Sequence, residues 1–222
     1  MTSLQLQVAF NREMDQVENR PAINTNDILY WLNQSMTKYV NMNVLQFEVD
    51  QFATDVLAPL VKEETLVVTT AGAIKPNGYL ANLASLSFPY RHRYGEEVTI
   101  AYIDDNGISV SKRQGVTECT TDVYQRKIED PFSEHKVQYG RAKPLRLFRG
   151  NLVELVTDGH YSITHYHIRY LKEPLVITLD QTCELPAFIH PFIVKQAVDM
   201  AIENMGDAQR YQTHSIETKT MG

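Results

Sequence analysis

The chain has 222 residues, of which 43% are hydrophobic and 22% are charged, and its formal net charge is −6 at pH 7. This length and composition are typical of a globular protein with one large domain or two small ones. The acidic balance argues against a protein whose whole surface binds nucleic acid, although it leaves room for a local basic patch.

Targeting and redox features predict a protein made and kept in a cytoplasm. The two cysteines, Cys119 and Cys183, lie far apart and form no C-x-x-C motif, which is typical of a reducing compartment. The amino-terminal segment has neither a basic region nor an apolar core, so it does not resemble a signal peptide. No apolar run approaches the roughly 18 residues of a membrane span, and no membrane partner is expected.

Residues 1–64 are predicted to form three helices, because apolar side chains recur there at helical spacing. The stripes are Leu6, Phe10, Met14 and Val17 in the first helix, Ile28, Trp31, Leu32, Ser35, Met36, Tyr39 and Val40 in the second, and Leu45, Val49, Phe52, Val56 and Leu60 in the third. Pro21 separates the first two helices. Asn43 with Gln46 resembles a capping box that opens the third.

From about residue 65 the pattern changes to β-branched residues and turns. The strongest prediction is a hairpin within residues 97–113, with a type I′ turn at Asn106-Gly107. A short helix is predicted to begin at Thr121 or Asp122. Further strands are predicted at 143–148, 151–156, 160–171 and 175–179. Strands that follow one another through short turns favour an antiparallel sheet.

Helical spacing returns near the carboxyl end, in the stripe Val194, Ala197, Val198, Ala201, Ile202 and Met205. The predicted fold class is α+β, with a helical bundle formed by the N-terminal helices and a C-terminal helix, and with an inserted antiparallel β-rich domain. The predicted boundaries are 1–64 for the N-terminal helices, 65–182 for the β-rich domain, 183–206 for the closing helix and 207–222 for a polar tail. The tail has little apolar material to bury, so we expect it to become ordered only in an assembly.

Three histidines in residues 160–171 suggest a metal site, because imidazole is the commonest transition-metal ligand in proteins. On a regular strand, His165 and His167 lie on one face and His160 points to the other. The side chains expected to share the face of His165 and His167 are Tyr161, Ile163 and Arg169.

The spacing of Gly159, His165 and His167 resembles the opening of the cupin metal motif. The rest of that motif is missing, because Glu173 comes late, no glycine follows at the required place and the second motif is absent. Arg169 on the same face would also repel a cation. We therefore expect no metal, and we favour histidines on an exposed or subunit-facing strand.

Motifs of enzymes are likewise missing: the sequence contains no nucleophile elbow, P-loop, dinucleotide-binding or zinc-protease motif. The sequence therefore predicts no enzyme and no cofactor. A locally basic segment, "RAKPLRLFRG", carries Arg141, Lys143, Arg146 and Arg149 and no acid. Two interpretations stay open, a solvated strand edge, which we favour, and a patch that faces nucleic acid or an acidic partner.

Four segments, in chain order, carry a resemblance to a known family. "NTNDILYWLNQSMTKYV" followed by "FEVDQFATDVLAPLV" looks like an N-terminal helical pair, and "EDPFSEHKVQYGRAKPLRL" is similar to an Asp/Asn-Pro-Phe segment that leads into strands. "HIRYLKEPLVI" looks like a strand ending in Tyr-Leu-(basic)-x-Pro, and "ELPAFIHPFIVKQAVDMAIENM" looks like the closing helix. Together they resemble the head-to-tail connector (ring or adaptor) proteins of tailed, podovirus-like phages of the crAss-like group.

The resemblance implies a non-enzymatic structural protein of the virion, assembled in the host cytoplasm and located at the head-tail junction or in the tail. In that family, typically twelve copies form a ring that joins the portal to the tail and extends the DNA channel. The implied partners are other copies of the chain, the portal protein, other tail or ring proteins, and DNA that passes without sequence-specific binding.

The resemblance also assigns candidate surfaces as hypotheses. Portal docking is assigned to Arg210, Tyr211, His214 and Ile216 of the tail. The channel or a subunit interface is assigned to Arg141, Lys143, Arg146 and Arg149. The alternatives are a metal-dependent cupin-like enzyme that uses His165 and His167, and a cytoplasmic protein-binding module.

Overall fold

A computed structural model describes residues 1–15, 23–104, 106–136 and 142–204 of the chain. Helices account for 36% of the structure and strands for 30%, which confirms the predicted α+β class. The helices are α1 (Ser3–Asp15), α2 (Thr25–Asn43), α3 (Gln51–Leu57), α4 (Tyr124–Glu129) and α5 (His190–Asn204). The strands are β1 (Val61–Val67), β2 (Gly78–Asn82), β3 (Tyr90–Ile103), β4 (Ser109–Gly115), β5 (Thr117–Glu118), β6 (Leu145–Arg149), β7 (Leu152–Val156) and β8 (Ser162–Lys172).

The described residues form two compact units. The first, called the helical unit below, combines the chain up to Leu60 with the chain from Pro174 onward. The second, called the β unit, consists of Val61–Glu173.

In the helical unit, α1, α2 and α5 pack against one another through the apolar stripes predicted from the sequence. The buried side chains of these stripes are Leu6, Phe10, Met14, Ile28, Leu32, Met36, Tyr39, Val40, Val194, Ala197, Val198, Ala201 and Ile202. Val17 and Met205 lie outside the described residues. Pro191 occupies the first turn of α5, where its missing N–H costs no helical hydrogen bond.

A small polar side chain is buried at the contact between α2 and α5. Ser35 is completely buried, and its Oγ lies 2.8 Å from the carbonyl oxygen of Ile193 and 3.1 Å from Oε1 of Gln196. Nearby, the ring of Tyr39 meets the ring of Phe192 edge to face, with 5.2 Å between the centroids. A serine at this position lets the two helices approach closely while its hydroxyl hydrogen is satisfied.

The segment predicted as a strand at 175–179 forms no strand. Its backbone is paired with a side chain of α2: Ile177 donates its N–H to Oδ1 of Asn33 at 2.7 Å, and Asn33 Nδ2 donates to the carbonyl of Ile177 at 3.0 Å. The amide of Asn33 thus replaces the neighbouring strand that a ladder would need, and the side chain of Ile177 is buried.

The third predicted helix begins later than the sequence suggested. α3 starts at Gln51, because Asp50 is its N-cap and accepts a hydrogen bond from the N–H of Ala53 at 2.9 Å. Asn43, proposed as the cap, instead donates its side-chain N–H to the carbonyl of Tyr39 at 2.8 Å. Glu48 adopts a left-handed conformation with φ of +64°, which interrupts the helical path. Leu45 and Val49 therefore lie outside α3, and of the predicted stripe only Val56 and Leu60 are buried.

The β unit contains two four-stranded sheets, with the strand orders β1-β8-β3-β4 (the first sheet) and β2-β7-β6-β5 (the second sheet). Every pair of strands is antiparallel except β5 with β6, which confirms the predicted antiparallel character. One hydrophobic cluster takes residues from both sheets: Leu66, Ala81, Leu83, Val98, Ile100, Ala142, Val153, Leu155, Tyr161, Ile163, Tyr166, Ile168 and Tyr170. A second cluster joins α4 to β6 and β7, and it consists of Cys119, Tyr124, Leu145, Leu147 and Val156.

The predicted hairpin is present as β3 and β4, but its turn differs from the prediction. Gly107 has a φ of +77°, and its N–H donates to the carbonyl of Asp104 at 2.9 Å. Asn106 and Gly107 are therefore not the two central residues of the turn, as type I′ would require. Asp104 organises it: Oδ1 accepts hydrogen bonds from the N–H of Asn106 at 2.9 Å and from the N–H of Ile108 at 2.8 Å. An aspartate that binds the backbone amides ahead of it stabilises a different turn from the one that Asn-Gly alone indicates.

Candidate functional site

A β-bulge at Thr164 determines which way the histidines of β8 point. On β3, the adjacent residues Thr99 and Ile100 pair with His165 and Ile163, so Thr164 is an extra residue on β8. The alternation of faces shifts at this point. Ile163 therefore lies in the core together with Tyr166, and His165 lies on the opposite face.

The shift corrects one prediction about this face. His165, His167 and Arg169 lie on the same side of β8, as predicted. The side chains of Tyr161 and Ile163, expected on that side, belong to the hydrophobic cluster instead. His160 precedes the strand, and its side chain is exposed beside Asp158, with 3.4 Å between Nδ1 and Oδ2.

His167 is held between two threonines on the neighbouring strands. Its Nδ1 lies 2.8 Å from Thr65 Oγ1 on β1, and its Nε2 lies 2.7 Å from Thr99 Oγ1 on β3. Burial lowers the pKa of His167, and the nearby charges of Arg113 and His165 lower it further. A neutral imidazole fits this place, because it donates to one hydroxyl and accepts from the other.

In this arrangement, a metal at His167 would compete with an existing hydrogen bond. The acceptor nitrogen of a neutral His167 is already occupied by a threonine hydroxyl, so a metal would have to displace that contact. The ring of exposed His165 stacks near His167, with 6.3 Å between the centroids. Within the described ranges, no three His, Cys, Asp or Glu side chains are grouped so that they could hold a metal ion.

A polar depression of about 250 Å³ lies on the same face of the first sheet and is lined by Glu63, Gly95, Glu97, His167, Ile168 and Arg169. Arg113 Nη1 lies 3.9 Å from an oxygen of Glu63 and 3.9 Å from an oxygen of Glu97. Gly95 leaves room for Arg169, because a Cβ atom added at residue 95 would lie only 3.2 Å from the Cβ of Arg169. Two acids and two arginines thus balance each other here, and the chemistry is that of a solvated, charge-neutral face.

Arg146, one residue of the predicted basic patch, lies between the two sheets and is only 7% exposed. Its Nη1 forms an ion pair with Glu96 of β3, and its Nη2 forms one with Glu118 of β5. Glu96 also accepts hydrogen bonds from Tyr166 Oη at 2.5 Å and from Arg93 Nη1 at 3.0 Å. The prediction of an exposed patch is wrong for Arg146, because its charge is neutralised inside the β unit.

A second bulge explains why Arg93 and Glu96 can share this site. Tyr94 is the extra residue of β3, because Arg93 pairs with Tyr170 and Gly95 pairs with the adjacent Arg169. Side chains three positions apart then point to the same side of the strand. The guanidinium of Arg93 also stacks on the ring of Phe148, 3.6 Å from its centroid.

Two other members of the predicted patch, Lys143 and Arg149, have acidic partners as well. Lys143 Nζ lies 3.3 Å from Oε2 of Glu134, and Arg149 Nη1 lies 3.5 Å from Oε2 of Glu154. Arg141 lies outside the described residues. The four tail residues assigned to portal docking, Arg210, Tyr211, His214 and Ile216, also lie outside them. Because Lys143 and Arg149 are partly exposed, unlike Arg146, these two residues stay candidates for a channel or subunit interface.

An exposed group of large apolar side chains on the helical unit was missed by the sequence analysis. This group, called the knuckle, consists of Leu45, Val49, Phe52 and Phe188, which are 81%, 86%, 54% and 59% exposed. Phe52 and Phe188 are in contact distance, with 6.0 Å between the ring centroids. Acids alternate with the apolar residues at Glu48, Asp50 and Asp55, and no lysine or arginine occurs from 39 to 61. Those acids were the available signal that this face is not buried.

The β unit has an apolar depression that the sequence did not reveal. It has a volume of about 300 Å³ and is lined by Leu83, Ala84, Leu86, Phe88, Pro89, Tyr90 and Asn151. Lys62 Nζ lies 5.4 Å from the centroid of Phe88. Lys172 Nζ lies 4.6 Å from the same centroid, but this lysine is buried. Apolar residues combined with charge at the rim are typical of surfaces that bind another protein.

Helices of the described residues do not have the combination of length and apolar character that crossing a membrane requires. No protein-family model matches the chain, and no curated protein matches it significantly.

Proposed function

We propose that this chain is a structural virion protein, a head-to-tail connector that forms an oligomeric ring, joins the phage portal to the tail and extends the DNA channel. The class comes from the four segments that resemble such proteins. One observation carries the proposal, namely the knuckle, in which four large apolar side chains are more than half exposed and two of them are in contact. Large exposed apolar surfaces mark sites of interaction with another molecule. A ring covers such a surface on every subunit by placing the next copy against it.

In this proposal, the helices from both ends of the chain form a bundle and the β-rich domain is inserted between them. The division of the described residues into two units supports that arrangement. A ring with head-to-tail contacts needs two different surfaces on each subunit. The helical unit offers the apolar and acidic knuckle, and the β unit offers the apolar depression beside Lys62.

The charge distribution suits a conduit for DNA. The net charge is −6, and the described cations of the basic segment are paired with glutamates. A channel that neutralised many phosphates would hold the DNA by counterion release and slow its passage. We therefore propose weak contacts of Lys143 and Arg149 with passing DNA or with a neighbouring subunit, and no sequence-specific binding. The site performs no reaction in this proposal.

The test is the assembly state of the purified full-length protein, alone and mixed with the portal protein of the same phage. We expect closed rings with one dominant copy number by mass photometry and negative-stain electron microscopy, and a ring-portal complex in the mixture. A chain that ends at Gly206 is the matched control for the tail, and it should still form rings but bind the portal more weakly. A protein that is monomeric both alone and beside the portal would refute the proposal.

A further inference from the structure

We propose that Asn106 is a site of spontaneous deamidation, and that the fold protects the other Asn-Gly pair of the chain, Asn77-Gly78. Both asparagines precede a glycine, so a difference in their reactivity has to come from the structure. The inference goes beyond the proposed function, because the reaction involves only this chain and water.

Deamidation begins when the backbone nitrogen of the residue after an asparagine attacks the carbon of the side-chain amide. The nitrogen loses its proton, a C–N bond forms and ammonia leaves, which gives a cyclic succinimide. Water then adds to one of the two imide carbonyls and breaks its bond to the nitrogen, so the product is an aspartate or an isoaspartate. A following glycine favours the attack, because it has no Cβ to obstruct the approach and its backbone adopts unusual conformations easily.

The surroundings of Gly107 leave room for the succinimide. Asn106 and Gly107 are both exposed at the tip of the hairpin of β3 and β4. Apart from its chain neighbours, no atom of the described residues lies within 4 Å of the position that a Cβ on Gly107 would occupy. The nitrogen and the amide carbon can therefore approach each other, and water can reach the product, without displacing another part of the protein.

Gly78, in contrast, is buried and enclosed. A Cβ at this position would lie 2.8 Å from the carbonyl oxygen of Lys75, 3.0 Å from Oε1 of Glu154 and 3.1 Å from the Cβ of Ala73. The backbone atoms of Gly78 would have to shift within this space when its nitrogen turns towards the side chain of Asn77. The close neighbours therefore oppose the attack.

The backbone carbonyl of Asn77 is also held in place. Closure of a succinimide rotates the bond between the Cα and the carbonyl carbon of the asparagine, so the carbonyl oxygen has to move. The oxygen of Asn77 accepts hydrogen bonds from the N–H of Thr157 at 3.2 Å and from its Oγ1 at 3.4 Å. Thr157 is buried, so these bonds resist the rotation that the reaction requires.

One hydrogen bond occurs in both pairs, but it costs more to break at Gly78. The N–H of Gly107 donates to the carbonyl of Asp104 at 2.9 Å, and the N–H of Gly78 donates to the carbonyl of Lys75 at 3.1 Å. At the exposed tip, water replaces the partners that are lost when the turn opens. At a buried glycine the groups stay unpaired, which is the more costly outcome.

The reaction changes the hairpin tip in two ways. Either product replaces a neutral amide by a carboxylate, which adds a negative charge close to Asp104. An isoaspartate also adds a methylene group to the backbone, between the N–H groups of Asn106 and Ile108. Both of these groups now donate to Oδ1 of Asp104, at 2.9 Å and 2.8 Å, so the turn before β4 should become less stable.

The test compares the two pairs within the same full-length protein. The protein is incubated at mildly alkaline pH, both folded and in concentrated urea, and peptides from each sample are analysed by mass spectrometry over time. In the folded protein we expect Asn106 to react at least about tenfold faster than Asn77, because the net strength of one or two hydrogen bonds is enough for that factor. In urea the two rates should become similar, since each pair then has only its local sequence.

Asn106→Gln is the matched control, because a glutamine would have to close a larger and less favourable cyclic imide. This variant should keep the circular dichroism spectrum of the wild type, since the position is exposed, and it should lose the reaction at the hairpin tip. Equal rates for Asn106 and Asn77 in the folded protein would overturn the inference, and so would an Asn106 that reacts only in urea. Neither result bears on the assembly state, so the proposed function is tested separately.

Discussion

The contact between α2 and α5 and the space between the two sheets both bury polar groups, but they do so in opposite ways. In the helical contact, Ser35 contributes a small neutral hydroxyl that meets a backbone carbonyl and an amide oxygen. Between the sheets, Arg146 contributes a full charge that is matched by Glu96 and Glu118. The first arrangement depends on the volume of the side chain, and the second depends on charge balance.

The difference predicts which substitutions each region tolerates. A buried neutral group costs little to replace when the new side chain has the same size. A buried ion pair costs much more when one partner is removed, because the other charge stays in a medium of low dielectric. The two regions should therefore respond differently to changes of size and to changes of charge.

The largest effect is expected for Arg146→Met, which keeps the length of the side chain and removes its charge. Glu96 would then keep only Arg93 and Tyr166, and the free energy of unfolding of the β unit should fall by about 3–5 kcal/mol. Urea unfolding followed by circular dichroism measures the loss. Amide hydrogen exchange should be faster in β6 and β3 than elsewhere in the chain.

Arg113→Met is the matched control for that experiment. Its side chain is 56% exposed and lies 3.9 Å from each of Glu63 and Glu97. Exposed ion pairs of this length contribute about 0–1 kcal/mol. If Arg146→Met were no more destabilising than Arg113→Met, charge balance would not be what stabilises the space between the sheets.

Two tyrosines of the β unit extend the comparison to hydrogen bonds. Burial raises the pKa of Tyr166 to about 12, so it stays protonated and donates to the charged Glu96, whereas Tyr161 donates to the neutral backbone carbonyl of His135 at 3.0 Å. We expect Tyr166→Phe to cost about 1.5–3 kcal/mol of unfolding free energy and Tyr161→Phe to cost about 1 kcal/mol. Equal losses in urea unfolding would show that the charge of the acceptor has no effect here.

In the helical unit, size should decide. Ser35→Leu forces extra volume into the contact of α2 with α5 and should cost about 1–3 kcal/mol. The fluorescence of Trp31, the single tryptophan of the chain and a residue of α2, reports the unfolding. Ser35→Ala keeps the contact small and loses only the hydroxyl, at about 1 kcal/mol. Equal losses for alanine and leucine would mean that the lost hydrogen bonds, and not the added volume, determine the stability of the contact.

The helices that were predicted well are those whose apolar spacing, within the helix itself, is enough to identify them. α1, α2 and α5 follow from apolar spacing alone, since each buries one stripe against the others. α3 was misplaced because two capping residues compete: Asn43 with Gln46 fits a capping-box pattern, yet Asp50 is the residue that caps. A local pattern could not decide between them, because the choice depends on whether Leu45 and Val49 find a surface to cover.

The candidate surfaces were harder to predict because they depend on distant residues. The faces of β8 could not be assigned without the bulge at Thr164, and one extra residue reverses the side to which Ile163 points. The burial of Arg146 depends on Glu96, which lies fifty positions earlier in the chain. It also depends on the bulge at Tyr94, which places Arg93 on the same side of β3 as Glu96. In the sequence, Arg146 is indistinguishable from its half-buried neighbours Lys143 and Arg149 in the basic run.

The smallest expected effect is the dependence of the free energy of unfolding on pH, to which His167 of the first sheet contributes. Burial lowers the pKa of His167, so its folded pKa lies below the unfolded value of about 6.5. The unfolded chain then binds more protons between these two values, so the stability conferred by neutral His167 is fully present above about pH 6.5 and is lost as the pH falls. Burial lowers the pKa of His135 and His190 in the same direction.

His167→Gln separates the contribution of this residue from the others. The glutamine amide can donate to one threonine hydroxyl and accept from the other, as the neutral imidazole does. Urea unfolding between pH 5 and pH 7 should show a shallower rise of stability with pH for this variant than for the wild type. His160→Gln, at a side chain that is 80% exposed, should leave the rise unchanged. If the slope of unfolding free energy against pH were unchanged in His167→Gln, the hydroxyls of Thr65 and Thr99 would stabilise the charged ring as well as the neutral one. The face of the first sheet that carries His167 would then tolerate a charge, as the space around Arg146 does.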